Sequence, residues 1–214
     1  MKPEPLPVRI FAHRGASGYA PENTLEAFSK ALEMGAKGIE LDVHFIVGQL
    51  LVYHDEEKAA QHRQNNIHIP LLEEALNLID RRAVVNIELK DAESAKPVVE
   101  MIRHYVYTKG WSYTLFVVSS FAHDSLREVR RLGAEIPIAL LIRDFKEEYL
   151  ATAGELQACS LNTARSVTTV DIIEKAHGQD LKFYVYRVND IAEMHKYENW
   201  GVDGIFSDFP DIGG

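Results

Sequence analysis

Short apolar, β-branched runs alternate with stretches of helical apolar spacing along almost the whole chain. The runs are Val8–Ala12, Gly38–Val43, Leu50–His54, Ala83–Leu89, Thr114–Ser119, Ile136–Ile142, Leu156–Leu161, Lys182–Val188 and Gly204–Ser207. Helical patterns fill most of the intervals: Thr24–Met34, Leu71–Asp80, Ser94–Thr108, Ser125–Leu132, Phe145–Ala153, Thr169–His177 and Ile191–Asn199. Alternation of this kind predicts parallel strands joined by crossover helices. Nine strands are one too many for a closed eight-stranded barrel. Only six residues separate Val43 from Leu50, Gly48-Gln49 among them, which is too few for a helical crossover. Leu50–His54 is therefore expected to return antiparallel to the second strand. Eight parallel strands remain, with the last helix either supplied by the N-terminal segment or omitted after Pro210. The expected fold is α/β, a (β/α)8 TIM barrel with a short hairpin after the second strand, spanning residues 1–214 as a single domain. Such a barrel gathers its active groups at the carboxyl ends of the strands.

Composition narrows the partners. A chain of 214 residues, 46% hydrophobic, is long enough for one well-buried core. Its net charge of -9 argues against nucleic acid or an anionic membrane surface, both of which want a basic face. No run approaches the ~18 apolar residues of a membrane span, so no stable membrane insertion is expected. The single Cys159 excludes an internal disulfide framework and fits a reducing compartment. Met1-Lys2-Pro3-Glu4-Pro5 opens without an apolar signal region, so the expected location is cytoplasmic. A homo-oligomer is left open.

The chemistry-bearing residues fall at the ends of the predicted strands. Glu40 and Asp42 are two apart, so their side chains share one face. Two carboxylates aimed into one barrel mouth repel each other unless a cation lies between them, and a hard cation such as Mg2+ or Ca2+ prefers oxygen ligands. Glu88 ends the next parallel strand and supplies a third carboxylate. The alternative for each acid is pairing with a rim Arg or Lys. His13 ends the first strand and His54 the hairpin return. A phosphodiester needs one group to take a proton from the nucleophile and another to give one to the leaving alcohol, and histidine suits both roles. The other seven histidines lack this context and read as structural or solvent-facing, His44 with the least separation from the site. Arg14 and Lys90 are candidate phosphate holders, and Lys90 is equally placed for an ion pair with Glu88. Pro21-Glu22-Asn23-Thr24 reads as mainly structural, with Asn23 or Thr24 capping the first helix.

These motifs, in this order, closely resemble the glycerophosphodiester phosphodiesterase family. The matching stretches are His13-Arg14-Gly15, Pro21-Glu22-Asn23-Thr24, Ile39-Glu40-Leu41-Asp42-Val43, His54-Asp55, Asn86-Ile87-Glu88-Leu89-Lys90 and the closing Gly201-Val202-Asp203-Gly204-Ile205-Phe206-Ser207-Asp208-Phe209-Pro210. The resemblance implies a (β/α)8 barrel that uses a divalent metal (Mg2+, Ca2+ or Mn2+) to hydrolyse a small-molecule glycerophosphodiester to glycerol 3-phosphate and an alcohol. It implies His13 and His54 as the acid/base pair, Glu40, Asp42 and Glu88 as metal ligands, and Arg14 and Lys90 as phosphate contacts. Two departures bear on the substrate. Only Glu56–Ile69 lies between His54-Asp55 and Pro70, where the family usually has a sizeable insertion, so an open mouth with weak discrimination among alcohols is expected. The late strand reads Tyr186-Arg187-Val188-Asn189 where bacterial relatives often have Trp-Thr-x-Asn. Arg187 is thus a candidate substrate contact, for phosphate or a carboxylate, with a rim salt bridge as the alternative. Two rivals stay in view: the same machinery on a bulkier lysophospholipid or phosphoinositide, and a non-catalytic barrel that binds phosphate metabolites.

Overall fold

The computed structural model describes residues 3, 4, 7 and 9–213. Its strands are β1 (Ile10–Ala12), β2 (Gly38–Ile46), β3 (Gln49–Val52), β4 (Val84–Leu89), β5 (Phe116–Ser120), β6 (Ile138–Ile142), β7 (Ser160–Ala164), β8 (Lys182–Tyr186) and β9 (Gly204–Ser207). The helices are α1 (Leu25–Glu33), α2 (Glu56–Gln64), α3 (Leu72–Ile79), α4 (Ala95–Thr108), α5 (His123–Leu132), α6 (Glu147–Glu155), α7 (Val170–His177) and α8 (Ile191–Asn199). The strands run β1-β9-β8-β7-β6-β5-β4-β2, and β1 pairs with β2 to close the ring, so eight parallel strands form a (β/α)8 barrel. β3 lies outside it, antiparallel to β2, which is the hairpin that the short Val43-to-Leu50 spacing requires. Among the described residues no helix follows β9. Val8, expected to open the first strand, lies outside the described residues.

Two apolar layers hold the barrel. Outside the ring, alternate strand residues such as Ile39, Leu41 and Val43 are fully buried beneath the helices. Inside it, Phe11, Val84, Val117, Ala139, Tyr184 and Phe206 pack together, with the Phe11 and Phe206 rings stacked 5.1 Å apart. This plug fills the amino-terminal part of the interior and leaves the carboxyl end for polar groups. α1 shows how each helix docks. Thr24 caps it by accepting the Ala27 amide at 3.1 Å, and Ala27, Phe28 and Ala31 are its buried face. Truncating Phe28, which is wholly buried, would cost ~3–5 kcal/mol.

Several elements depart from the expected boundaries: β2 runs on to Ile46, β3 stops at Val52 so that His54 lies two residues beyond it, and β8 stops at Tyr186. β7 begins at Ser160, four residues beyond the expected Leu156, because Leu156 and Ala158 are buried at the end of α6. The turn that follows α6 passes through Gln157 at φ 50°, and its apolar residues mimic the start of a strand. α2 was not anticipated, since its only buried residues are Ala59 and His62. Its signature is at its start, where Asp55 caps the helix and Glu56 and Glu57 fill the first turn, an arrangement favoured by the helix dipole.

Candidate active site

Strand register assembles the acidic cluster. In the β2–β4 pairing, Asp42 lies opposite Glu88 and Glu40 opposite Asn86. Since alternate residues face the same side, Glu40, Asp42 and Glu88 all point inward, and one oxygen from each lies within 4.8 Å of the others. An all-oxygen set of this kind suits a hard divalent cation. Burial, reinforced by Asp42 and Glu88, pushes the Glu40 carboxyl well above the usual carboxylate range. Burial and then Asp42 push Glu88 up to about 7, against the pull of Lys90. Asp42 is also penalised by burial, but Arg14, Lys90 and Asn23 together hold it below its ordinary value. Asp42 Oδ1 is buried without a hydrogen bond, with Lys90 Nζ 3.3 Å away. Two of the three acids thus resist ionisation as they stand, and a divalent cation is what their geometry accommodates.

The His13-Arg14-Gly15 turn comes next to β2. Gly15 has φ +81°, and a Cβ there would lie 2.7 Å from the Ala27 backbone, so only glycine lets the turn press onto α1. Arg14 is left-handed too, at φ 56°, and its amide donates to Glu40 Oε2 at 2.8 Å. Its guanidinium donates to Glu22 at 3.0 Å and lies 3.1 Å from Asp42 Oδ2. Lys90 reaches Glu88 at 2.7 Å, the ion pair that its spacing allowed. Both cations keep faces on the cavity that contains the acids.

Each histidine is held by a carboxylate at Nδ1. His13 Nδ1 lies 2.7 Å from Asp208, which also accepts from Ser17 at 3.0 Å and from Asn189 at 2.6 Å. His54 Nδ1 lies 2.7 Å from Asp55 Oδ2, while Asp55 Oδ1 caps α2 through the Lys58 amide at 2.9 Å. The unanticipated helix α2 therefore fixes the carboxylate that orients His54. Burial is the main reason that both imidazoles sit below their ordinary pKa; Arg14 adds to it at each, and Asp208 and Asp55 pull the other way. His44 supports the hairpin from behind, stacking on Tyr53 at 4.2 Å and bonding the His54 carbonyl at 3.2 Å.

His13, Arg14, Glu40, His54, Glu88, Lys90 and Arg187 line one cavity of about 730 Å³ at the carboxyl ends of the strands, and Asp42 sits behind them, fully buried. Every residue singled out from the sequence is therefore at this mouth. Arg187 projects from the β8 side and, among the described residues, has no acidic side chain within ion-pair distance, so the rim salt bridge does not form. Three supporting residues carry no role in the sequence reading, Asp55, Asn189 and Asp208, and a fourth carries a different one. Asn23, read as a cap or structural residue, instead clasps Asp42, donating to Oδ2 at 2.8 Å and accepting the Asp42 amide at 3.2 Å. All four lie within or beside the motifs quoted above, which was the available signal for their importance. A separate cavity of about 280 Å³ opens at the other end of the barrel, around Phe11, Cys159 and Tyr184, away from these groups.

Comparison with known proteins agrees with this geometry. The sequence pattern of the Glycerophosphoryl diester phosphodiesterase family matches residues 13–59 and 49–212. A glycerophosphodiester phosphodiesterase of Bacillus altitudinis is 34% identical over 239 residues, covering 95% of this chain and 95% of the relative. One from Caldanaerobacter subterraneus subsp. tengcongensis is 31% identical over 239 residues, with 94% of each chain covered. Both alignments exceed this chain's 214 residues, so these relatives carry insertions that it lacks. Among solved structures, an Oleispira antarctica phosphodiesterase in complex with the product sn-glycerol-3-phosphate superposes with a TM-score of 0.84 at 26% identity, covering 96% of this chain and 94% of that one. The chain belongs to the glycerophosphoryl diester phosphodiesterase family, and it is a phosphodiesterase.

Proposed function

We propose that the protein hydrolyses glycerophosphodiesters to glycerol 3-phosphate and an alcohol, with a divalent metal and a two-histidine acid/base mechanism. The observation that carries this reading is the acidic triad, with oxygens within 4.8 Å of one another, two of whose members, Glu40 and Glu88, share a cavity with two carboxylate-oriented histidines. Glu40, Asp42 and Glu88 would hold the metal, which when bound supplies positive charge to the phosphoryl oxygens. Arg14 and Lys90 contact the same oxygens and offset the charge that builds up in the transition state. Because Nδ1 of each histidine is engaged by Asp208 or Asp55, Nε2 is the atom left for proton transfer. One imidazole takes a proton from the nucleophile as the nucleophile's oxygen bonds to phosphorus. Water gives glycerol 3-phosphate directly, whereas the substrate's own glycerol hydroxyl gives a cyclic phosphate that water then opens to glycerol 3-phosphate. The bond from phosphorus to the leaving oxygen breaks, and the other imidazole protonates that oxygen. The product named for the Oleispira antarctica structure, sn-glycerol-3-phosphate, supports retention of phosphate on glycerol.

Phosphorus NMR of purified protein with glycerophosphocholine and Mg2+ or Mn2+ tests this. Glycerol 3-phosphate and free choline are expected, and excess EDTA should stop their release. Phosphocholine as product, or full turnover in EDTA, would sink the reading.

A further inference from the structure

Three neighbouring strands of the barrel each end at an arginine. Arg143, Arg165 and Arg187 directly follow the last residues of β6, β7 and β8. These strands are adjacent and in parallel register, Ile142 opposite Thr163 and Ala164 opposite Tyr186, so the three side chains rise from one arc of the rim. All three line the cavity that holds His13, His54, Glu88 and Lys90. Round the closed ring, β6, β7 and β8 each stand four places from β1, β2 and β4 respectively. The arginine arc therefore faces the wall that carries His13, the acidic triad and Lys90.

The two walls differ in how their cations are used. On the triad side, Arg14 and Lys90 are engaged by Glu22, Asp42 and Glu88. On the far side, among the described residues, Arg165 alone pairs with a carboxylate, Glu193 at 3.0 Å, while Arg187 acts on Asp208 from beyond ion-pair distance. Among the described residues, Arg143 and Arg187 have no carboxylate within ion-pair distance. Arg143 lies instead over the Phe121 ring, 4.2 Å from its centroid, and Phe121 meets Tyr186 edge-on at 6.1 Å. That aromatic support positions a guanidinium fork without neutralising it. Like charges gathered on one wall repel each other until an anion joins them.

A phosphodiester carries a single negative charge, which the triad-side groups already meet. We infer that the β6–β8 arc is a subsite for a second anionic group, a carboxylate or a phosphomonoester on the alcohol half of the substrate, with Arg143 and Arg187 as its principal contacts. The inference rests on the diesterase reading above, which puts the phosphoryl group on the triad side, and adds to it that the leaving alcohol extends across the mouth. It turns an open mouth into one that sorts alcohols by charge.

The test compares kcat/KM for glycerophosphoglycerol, for glycerophosphocholine and for two anionic diesters, one ending in a phosphomonoester and one in a carboxylate. At least one anionic diester should exceed glycerophosphoglycerol by ~10-fold, equivalent to ~1.4 kcal/mol, and the two arms show which anion the arc prefers. The combined Arg143→Gln/Arg187→Gln variant should bring the anionic-to-neutral ratio close to one, and added salt should compress the wild-type ratio. A wild-type ratio near one for both anions, or a ratio unmoved in the double variant, overturns the subsite. Turnover of glycerophosphoglycerol reports on the diesterase reading independently. If no diester is cleaved, calorimetry with 2-phosphoglycolate against phosphocholine decides the subsite. Tighter binding of phosphoglycolate that weakens in Arg143→Gln supports it, and equal affinities overturn it.

Discussion

His13 Nδ1 lies 2.7 Å from Asp208 Oδ1, although 195 positions separate the two residues in the chain. The contact exists because β9 closes the ring against β1, bringing the last motif of the chain beside the first. Asp208 raises the affinity of His13 for a proton, opposing the larger effect of burial. Asp208→Asn should therefore move the limb of the pH–rate profile that belongs to His13 to lower pH as well as lower kcat. An unshifted profile would show that Asp208 only packs against the ring.

His13→Ala and His54→Ala should each reduce kcat by at least ~100-fold, the usual scale for losing a general acid or base, with circular dichroism unchanged. A p-nitrophenyl ester, whose leaving group needs little protonation, should partly rescue the variant that lost the acid and so assign the two roles. Near-wild-type turnover in both variants would remove the two-histidine mechanism.

Metal binding should be coupled to protons and to stability. Glutamate in an unfolded chain titrates near ~4.3, whereas burial and Asp42 push Glu88 up to about 7 in the folded chain. The folded state then holds more protons between these values, so this group makes the metal-free protein less stable as pH rises from ~4 to ~7. A bound cation removes the repulsion. Mn2+ or Mg2+ should thus raise Tm more at about pH 8 than at about pH 5, and calorimetry in two buffers near pH 6 should register proton release on binding. Equal Tm gains at both pH values with no released protons would argue against the triad as the metal site.

Asn23 is fully buried and makes two hydrogen bonds to Asp42, so Asn23→Ala leaves two buried polar atoms short of partners. A loss of ~1–3 kcal/mol in urea unfolding is expected, with weaker metal affinity. The replacement must also adopt φ 57°, which alanine disfavours. Stability and affinity both within error of wild type would return Asn23 to a passive turn residue.

Much of the barrel was legible along the chain because strand and helix periodicities are local. The six residues between Val43 and Leu50 forced a hairpin, and the structure has one. α2 was illegible for the opposite reason: with only Ala59 and His62 buried, it has no apolar stripe to read. At β7 the apolar end of α6 ran on toward the strand without a visible break, and only packing separates Leu156 from Ser160.

By itself the sequence determined that Glu40 and Asp42 share a face, that Glu88 lies at the end of a parallel strand, and that His13 and His54 come just after the first strand and the hairpin return. Those relations follow from the two-residue repeat of a strand and from chain order. Only the tertiary structure decided what stands opposite what. The clasp of Asn23 on Asp42, the hold of Asp208 on His13 and the arginine arc facing the triad all depend on how strands are placed round a closed ring. A local pattern tells which face a side chain takes; its neighbour across the barrel is set by register and closure, which join residues with no proximity in the chain.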